Sequence, residues 1–262
     1  MLRLVVLTKP VPDPASGAER LRPDGRLDRA ASPAVVNGND EYALEAALKL
    51  TEAQGGEVTV LAMAPSNATE TLRKALAMGA QRGVLVSDPK LEGADAPTTM
   101  RVLAAAIKTL EFDLVLAGVD TSDGGMGVVP AGIAVLAGLP YLSWAASIEP
   151  DSAAGTVRIR RPSATGFDVL EAKMPALISG TQALGAPRYP SLKGIMAARS
   201  KEVRTLSLAD LGLGEAVPAE WTTRLVAAVP PPARAATQVV RGSAAEGAKA
   251  IVEMLSSRGL LR

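Results

Sequence analysis

The chain contains no cysteine and no histidine. Without thiols there is no disulfide framework, no thiolate metal site and no cysteine redox chemistry. Without imidazoles there is no histidine metal ligand and no Ser-His triad. Aromatic residues make up only 3% of the chain, too few for a platform that stacks single-stranded bases. The net charge of +1 leaves no electrostatic footprint for nucleic acid. No apolar stretch approaches the about 20 residues of a membrane span. The N-terminal run Leu2 to Leu7 is too short for a signal peptide, and no small-residue cleavage site follows it. The expectation is a cytoplasmic protein with no nucleic-acid partner, no membrane span, no metal and no catalytic side chain.

What remains is an aliphatic, glycine-rich and proline-rich chain. Its 262 residues are 48% hydrophobic, with 24 glycines and 19 prolines, enough to bury the core of one large domain or two small ones. The stretch Phe112 to Pro140 combines three features. Leu114 to Ala117 has the length of a buried strand. Gly118 to Gly127 holds four glycines, two aspartates, a threonine and a serine. Val128 to Leu139 is apolar, with Pro130 in its first turn and Gly138 as its stop. A glycine-rich turn between a strand and a helix N-terminus brings backbone N–H groups and the helix dipole to one point, a cradle for a phosphate. It contains neither the Gly-Lys-Ser/Thr of a Walker loop nor a G-x-G-x-x-G run. A tight corner without a ligand is the alternative that the local sequence leaves open.

Periodicity organises the rest. Apolar runs at Leu2 to Leu7, Glu57 to Met63, Gly83 to Val86 and Leu114 to Ala117 read as strands. Glu41 to Ala53, Asn67 to Met78, Pro97 to Leu110 and Val128 to Leu139 read as helices, the first capped by Asn39 or Asp40. This β-α alternation predicts a doubly wound α/β fold, a mostly parallel sheet with helices on both faces. Ligands of such sheets bind at the carboxyl ends of the strands. The long loop Thr8 to Asn39, Ala64-Pro65-Ser66 and the glycine loop all leave from there, which favours the phosphate reading. Four short strands follow, at Tyr141 to Glu149, Thr156 to Arg161, Val169 to Lys173 and Ala176 to Ser179, expected to add antiparallel or edge strands to the same sheet. Arg158, Arg160 and Arg161 read as a solvated strand face. Ala186 to Val203 contains a short aliphatic-plus-basic helix, read from its residues as a core helix with a solvated rim or a docking surface, the former favoured. Leu206 to Leu213 reads as a short helix and Thr222 to Val229 as a strand. Beyond Pro230-Pro231-Pro232, the helix Ala244 to Ser257 has Ser243 as its N-cap and Ala248, Ile251, Val252 and Leu255 on one side. A strand and a helix beyond a stiff linker need a surface to pack on, the main domain or another chain. The division expected is an α/β domain over residues 1–205 and a C-terminal extension over 206–262.

Five segments in order then resemble one family, the beta subunits of electron-transferring flavoproteins. They are Thr8-Lys9-Pro10-Val11-Pro12-Asp13-Pro14, Asn37-Gly38-Asn39-Asp40-Glu41-Tyr42-Ala43-Leu44-Glu45, Lys74-Ala75-Leu76-Ala77-Met78-Gly79-Ala80, the glycine loop Gly118 to Pro130, and Pro187-Arg188-Tyr189-Pro190-Ser191-Leu192-Lys193-Gly194-Ile195-Met196-Ala197-Ala198. The resemblance is nearly full length. It implies an adenine-nucleotide alpha-hydrolase-like fold and a non-catalytic subunit of a heterodimer. The alpha subunit would hold most of the FAD, and this chain would bury a structural AMP. Electrons would come from acyl-CoA or related dehydrogenases, as in fatty acid beta-oxidation, and pass to a quinone oxidoreductase. Adenine and ribose contacts would fall at Leu7, Asn37, Gly38, Asn39, Asp40 and Met63. The phosphate would lie on Gly118, Val119, Asp120, Thr121, Ser122, Asp123, Gly124, Gly125, Met126, Gly127, Val128 and Val129, chiefly through backbone N–H groups. Tyr189, Leu192, Ile195, Met196 and Arg199 would dock the dehydrogenase, with Leu192 as the hydrophobic anchor, which reverses the core reading of that helix. The proline-linked tail would wrap the alpha subunit. The chain departs from the family at Asp123 to Val129, where side-chain phosphate ligands are replaced by glycines, and at Arg161 to Ala164, where the usual carboxylates are missing. Two other readings remain on the same architecture: a bifurcating form with FAD in the beta pocket, and an ATP-binding or ATP-hydrolysing module.

Overall fold

The structure is a computed structural model that describes residues 1–17, 20–214, 222–229, 232, 237 and 239–261. Two compact units divide at residue 226, Met1–Val226 and Ala227–Arg262.

In chain order the strands of the first unit are β1 Leu2–Leu7, β2 Pro10–Pro12, β3 Ala34–Val36, β4 Gly56–Met63, β5 Arg82–Val86, β6 Leu114–Gly118, β7 Tyr141–Ala145, β8 Ser147–Asp151, β9 Thr156–Ser163, β10 Gly166–Lys173, β11 Ala176–Gly180 and β12 Val203–Leu206. Its helices are α1 Gly38–Gln54, α2 Thr69–Met78, α3 Ala96–Lys108, α4 Val129–Ala137 and α5 Leu192–Ala198. Seven strands form one sheet in the order β12-β5-β4-β1-β6-β11-β7, and each adjacent pair runs parallel.

Alternation along the central strands builds two cores. Leu2, Leu4 and Val6 of β1 face one way with Leu114 and Leu116 of β6, packing with Leu44 and Leu48 of α1 and Leu76 of α2. Val5, Leu7, Val115 and Ala117 face the other way, packing with Val102 and Ile107 of α3 and Ile133 of α4. Both faces are therefore apolar, which is why these strands read as continuous hydrophobic runs. The doubly wound parallel sheet expected from the β-α alternation is the fold observed.

Three sequence expectations are corrected. Tyr141 to Glu149 is two strands, not one. Trp144 adopts a left-handed φ of 60°, and the β11 register shifts between Ile178 and Gly180. The chain leaves the main sheet there. β8, β9 and β10 form their own three-stranded antiparallel sheet instead of extending the parallel one. Within it Arg158 pairs with Glu171 at 2.9 Å and Arg161 with Asp168 at 2.9 Å across strands, and Arg160 lies 4.3 Å over the Phe167 ring. Second, Leu206 to Leu213 is not a helix. Leu206 closes β12, a parallel edge strand beside β5, and Leu208 is buried with it in the core of the α3–α4 face. Third, Thr222 to Val229 forms no strand. The Thr222 hydroxyl and the Thr223 N–H instead bond the Asp95 carboxylate at 2.8 and 2.9 Å, and Asp95 also caps α3 through the Thr98 N–H. These three bonds hold the Asp95 carboxyl well below the usual carboxylate range despite its partial burial.

In the second unit Ala244–Ser257 forms α6, opened by a complete capping box between Ser243 and Glu246. None of its residues is buried, and Ile251 and Val252 are more than half exposed. Pro230 and Pro231 of the expected stiff linker lie outside the described residues.

Candidate functional site

β1 sits between β4 and β6, so the chain leaves β1 in one direction across the sheet and later returns on its other side at β6. The loops after these two strands diverge, and the crevice between them is where such sheets bind ligands. A cleft of about 420 Å³ opens there, within the range of small-molecule sites. Its walls are Val11, Pro14, Val35 and Val36 of the long loop, Asn37 to Asn39 and Tyr42 at the start of α1, Asp120 to Ser122 and Gly125 of the glycine loop, and Gln182 after β11.

The polar side chains at the start of α1 hold this junction together instead of capping the helix. Asn37 occupies the N-cap position without a side-chain cap bond. Its Nδ2 donates to the Asp120 carbonyl at 2.8 Å, and its Oδ1 accepts from the Ser122 N–H at 3.2 Å. Asn39 Nδ2 donates to Asp120 Oδ1 at 2.5 Å. Asp40 accepts from the Lys9 N–H at 2.8 Å and from the Gly118 N–H at 3.2 Å. The expected Asn39 or Asp40 cap is therefore corrected. Both residues lie inside the first turn of α1. Asp40 accepts from backbone N–H groups just after β1 and at the end of β6, which need acceptors, and Asn39 donates to the Asp120 carboxylate in the glycine loop.

The glycine loop is latched from outside. Asp123 has a fully buried side chain, with Lys9 Nζ at 2.8 Å and Arg29 Nη2 at 2.5 Å. Burial raises its carboxyl, but the two cations outweigh burial and the net position is below the usual range. The loop turns on Gly125 and Gly127, at φ 58° and 63°, angles that glycine adopts without strain. Gly124 and Gly125 N–H groups are spent on the Thr121 carbonyl. The N–H groups of Met126, Gly127 and Val128 have no acceptor among the described residues, and α4 begins at Val129. Free N–H groups ahead of a helix N-terminus are what an anionic group needs.

Of the residues expected at a nucleotide, Asn37, Gly38, Asn39, Asp120, Thr121, Ser122 and Gly125 line the cleft. Asp40, Gly118, Val119 and Asp123 lie behind the lining, as the bonds that shape it. Leu7 is in the core and Met63 packs against it, and neither lines the cleft. Val128 faces a second groove of about 510 Å³ between α3 and α4, lined mainly by Pro97, Met100, Ala131, Val135 and Leu136. That groove is larger but mostly apolar, with Arg101 the charged residue in its lining, whereas several polar groups converge on the strand-end cleft. Ala64-Pro65-Ser66, expected at the site, are absent from its walls. Val11, Tyr42 and Gln182 were not anticipated. Gln182 could not be, because only the parallel pairing of β11 beside β6 brings its loop to the crevice.

Asp40 carries a pH dependence. Burial pushes its carboxyl up to about 7, against the two N–H bonds, which favour the charged form. Between about 4, the ordinary value, and about 7, the folded chain holds a proton that the unfolded chain has lost. Stability from this group therefore falls as pH rises through that window. Asp40→Asn is expected to flatten the change in urea midpoint between pH 5 and pH 7.5. A slope equal to that of the unsubstituted protein would show that Asp40 is ionised throughout.

The residues expected to dock a dehydrogenase lie elsewhere on the first unit, around α5. Tyr189 is 96% exposed and Leu192 is 75% exposed. Ile195, Met196 and Arg199 are also exposed, and Ala198 is the helix's one buried residue. The reading of this segment as a core helix is corrected. Its aliphatic side chains point to solvent because the small residues Gly194 and Ala198, not the large ones, face α2.

A sequence profile for the electron transfer flavoprotein domain matches residues 24–211. The chain is 39% identical over 269 residues to the electron transfer flavoprotein subunit beta of Mycobacterium tuberculosis, an alignment that covers all of both chains. The chain belongs to the electron transfer flavoprotein beta-subunit family. It is also 33% identical to the subunit beta of Thermoanaerobacterium thermosaccharolyticum, with 99% of this chain and 100% of the relative covered. The Bacillus subtilis subunit beta is 34% identical, with 89% and 90% covered. The family membership implied by the five sequence segments is thus established over the full chain. For a beta subunit of this family, the long loop, the start of α1 and the glycine loop form one continuous structure at the sheet's switch point. Among the described residues no helix is long and apolar enough to cross a membrane, and no group of three or more acidic side chains is arranged to hold a metal ion.

Proposed function

We propose that this chain is the beta half of a heterodimeric electron-transferring flavoprotein in the cytoplasm and that its strand-end cleft holds AMP as a structural nucleotide. The observation that carries the reading is the cleft itself. Its volume suits a mononucleotide, Asn37 and Asn39 in its wall are committed to bracing the glycine loop, and the backbone donors of Met126 to Val128, unpaired among the described residues, follow directly on Gly125, which lines it. A site built this way grips a ligand and offers no nucleophile or general base to transform it. Asn37 to Asn39 would meet the adenine and ribose, and the segment Gly125 to Val129 would hold the phosphate. FAD supplies the redox chemistry of the heterodimer and would be held mainly by the alpha subunit. Residues 1–205 form the nucleotide-binding domain in this reading, and 206–262 an extension that starts on that domain at Leu206 and Leu208 and whose later part packs on the alpha subunit, with the exposed apolar side of α6 as its arm. Tyr189, Leu192, Ile195, Met196 and Arg199 dock acyl-CoA or related dehydrogenases. Electrons leave towards a quinone oxidoreductase.

The test is denaturing extraction of the co-expressed heterodimer with its nucleotides quantified. One FAD and one AMP per heterodimer is the expected result. Two FAD and no AMP would replace this reading with the bifurcating form, and ATP turnover by the isolated chain would replace it with a hydrolase.

A further inference from the structure

Seven residues, Leu192–Ala198, make up α5, and a helix so short does not hold itself together in water. Its exposed apolar side chains give it no core of its own. Something else keeps Tyr189 and Leu192 in one place, and the hydrogen bonds identify it. Arg188, one residue before Tyr189, spans two carboxylates of α1. Its Nε donates to Glu45 Oε2 at 2.8 Å and its Nη2 to Glu45 Oε1 at 3.1 Å. Its Nη1 and Nη2 reach Glu52 Oε1 and Oε2 at 2.5 and 2.9 Å. The Arg188 backbone N–H adds a fifth bond to Glu45 Oε2 at 3.1 Å. Glu45 and Glu52 stand seven positions apart, two turns along one side of α1, and Glu45 is buried. A planar guanidinium can fork across both, whereas an ammonium cannot. The far end is held separately. Arg73 Nη1 donates to the Ala198 carbonyl at 2.6 Å, and Lys201 Nζ donates to the Leu76 and Ala80 carbonyls at 2.9 and 2.6 Å.

We propose that Arg188 is a positioning residue for electron delivery: it clamps the docking segment to α1 so that Leu192 is presented in a fixed place before the dehydrogenase arrives. The proposal rests on the reading of Tyr189 to Arg199 as the docking surface. Arg188 itself makes no contact with the dehydrogenase. Releasing the clamp lets the segment move in the free heterodimer, and the dehydrogenase must then order it on binding, which weakens docking. The electron transfer that follows is untouched, because the flavin and the docked geometry are unchanged.

The experiment uses the intact heterodimer with an acyl-CoA dehydrogenase as electron donor. KM for the heterodimer, kcat and FAD content are measured for Arg188→Ala, Arg188→Lys, Glu52→Gln, Leu192→Ala and the double variant Arg188→Ala/Leu192→Ala. Arg188→Ala is expected to raise KM about tenfold, with kcat and FAD content held and faster hydrogen exchange at the α5 amides. Arg188→Lys and Glu52→Gln should raise KM by smaller factors. The double variant should have the KM of Leu192→Ala alone, since Arg188 acts through that side chain. Additive effects would overturn the proposal by making Arg188 a contact residue. An unchanged KM for Arg188→Ala beside a raised KM for Leu192→Ala would overturn it while leaving the docking surface intact. An unchanged KM for Leu192→Ala would overturn the docking surface and Arg188's role together. If Arg188→Ala fails to assemble, Glu52→Gln and Arg188→Lys leave Glu45 paired and decide the matter, and wild-type KM in both would sink the clamp.

Discussion

Gly118→Ala is expected to empty the cleft of nucleotide and to lower the melting temperature of the chain by about 10 °C. Gly118 ends β6 directly under the first turn of α1. A Cβ there would stand 2.6 Å from Asp40 Oδ1 and 2.7 Å from the carbonyl carbon and the Cβ of Asn39. Two of these three atoms belong to the backbone or the root of a side chain and cannot swing away. Either α1 or the glycine loop must retreat, and overpacking of this kind costs about 1–3 kcal/mol. Retreat also breaks the Asp40 bonds to Gly118 and Lys9, leaving buried donors and a buried carboxyl without partners, a further ~1–3 kcal/mol. The same movement pulls Asn39 from Asp120, so the wall of the cleft opens. Thermal melting and extracted nucleotide, measured on the same preparation, check both halves. Normal occupancy together with a normal melting temperature would show that the junction tolerates movement it has no visible room for.

Leu192→Ala is expected to raise KM for the dehydrogenase about thirtyfold with little change in kcat. The side chain is 75% exposed, after the exposed Tyr189 and on a helix that also presents Ile195 and Met196, apolar surface that water leaves when a partner covers it. Burying one leucine is worth about 1.5–3 kcal/mol, and about 1.4 kcal/mol corresponds to a tenfold change in affinity. Chain stability should be unaffected, because the lost carbons touch solvent in the free protein. Steady-state kinetics with the heterodimer as the varied substrate measures the effect. A fall in kcat at constant KM would mean that Leu192 shapes the electron path and not the encounter.

The parallel sheet was legible because it is buried on both faces. Leu114 to Ala117 has no polar residue to offer an exposed side and Leu2 to Leu7 has only Arg3, and the helices between them keep a 3.6-residue apolar period. The glycine loop was legible for a related reason: its composition suits few backbone conformations, and Gly125 and Gly127 adopt left-handed angles. Element ends were less legible where side chains serve distant partners. Asn37, Asn39 and Asp40 have the composition of a helix cap, yet their bonds run to Lys9, Gly118, Asp120 and Ser122. The break at Trp144 was hidden because a bulky aromatic residue seldom takes a left-handed φ. β12 was missed, with only its last residue Leu206 placed in an expected helix, because four residues carry almost no period, and its pairing with β5 comes from a strand about 120 positions away.

The sequence by itself determined the two-sided core, the alternation of the main strands and helices through α4, the glycine loop and, through five segments, the family. All of these are properties of local pattern, where neighbouring residues share one environment. Tertiary structure alone decided which charges meet. Lys9 and Arg29 close on Asp123, and Arg188 closes on Glu45 and Glu52. The partners in these clusters are separated by 94 to 143 positions along the chain. An ion pair leaves no periodic trace in sequence, since any surface arginine reads alike until the fold has chosen its neighbours. The presentation of Leu192 was decided in the same way, because α2 leaves room beside it only for Gly194 and Ala198 and turns the larger residues outward.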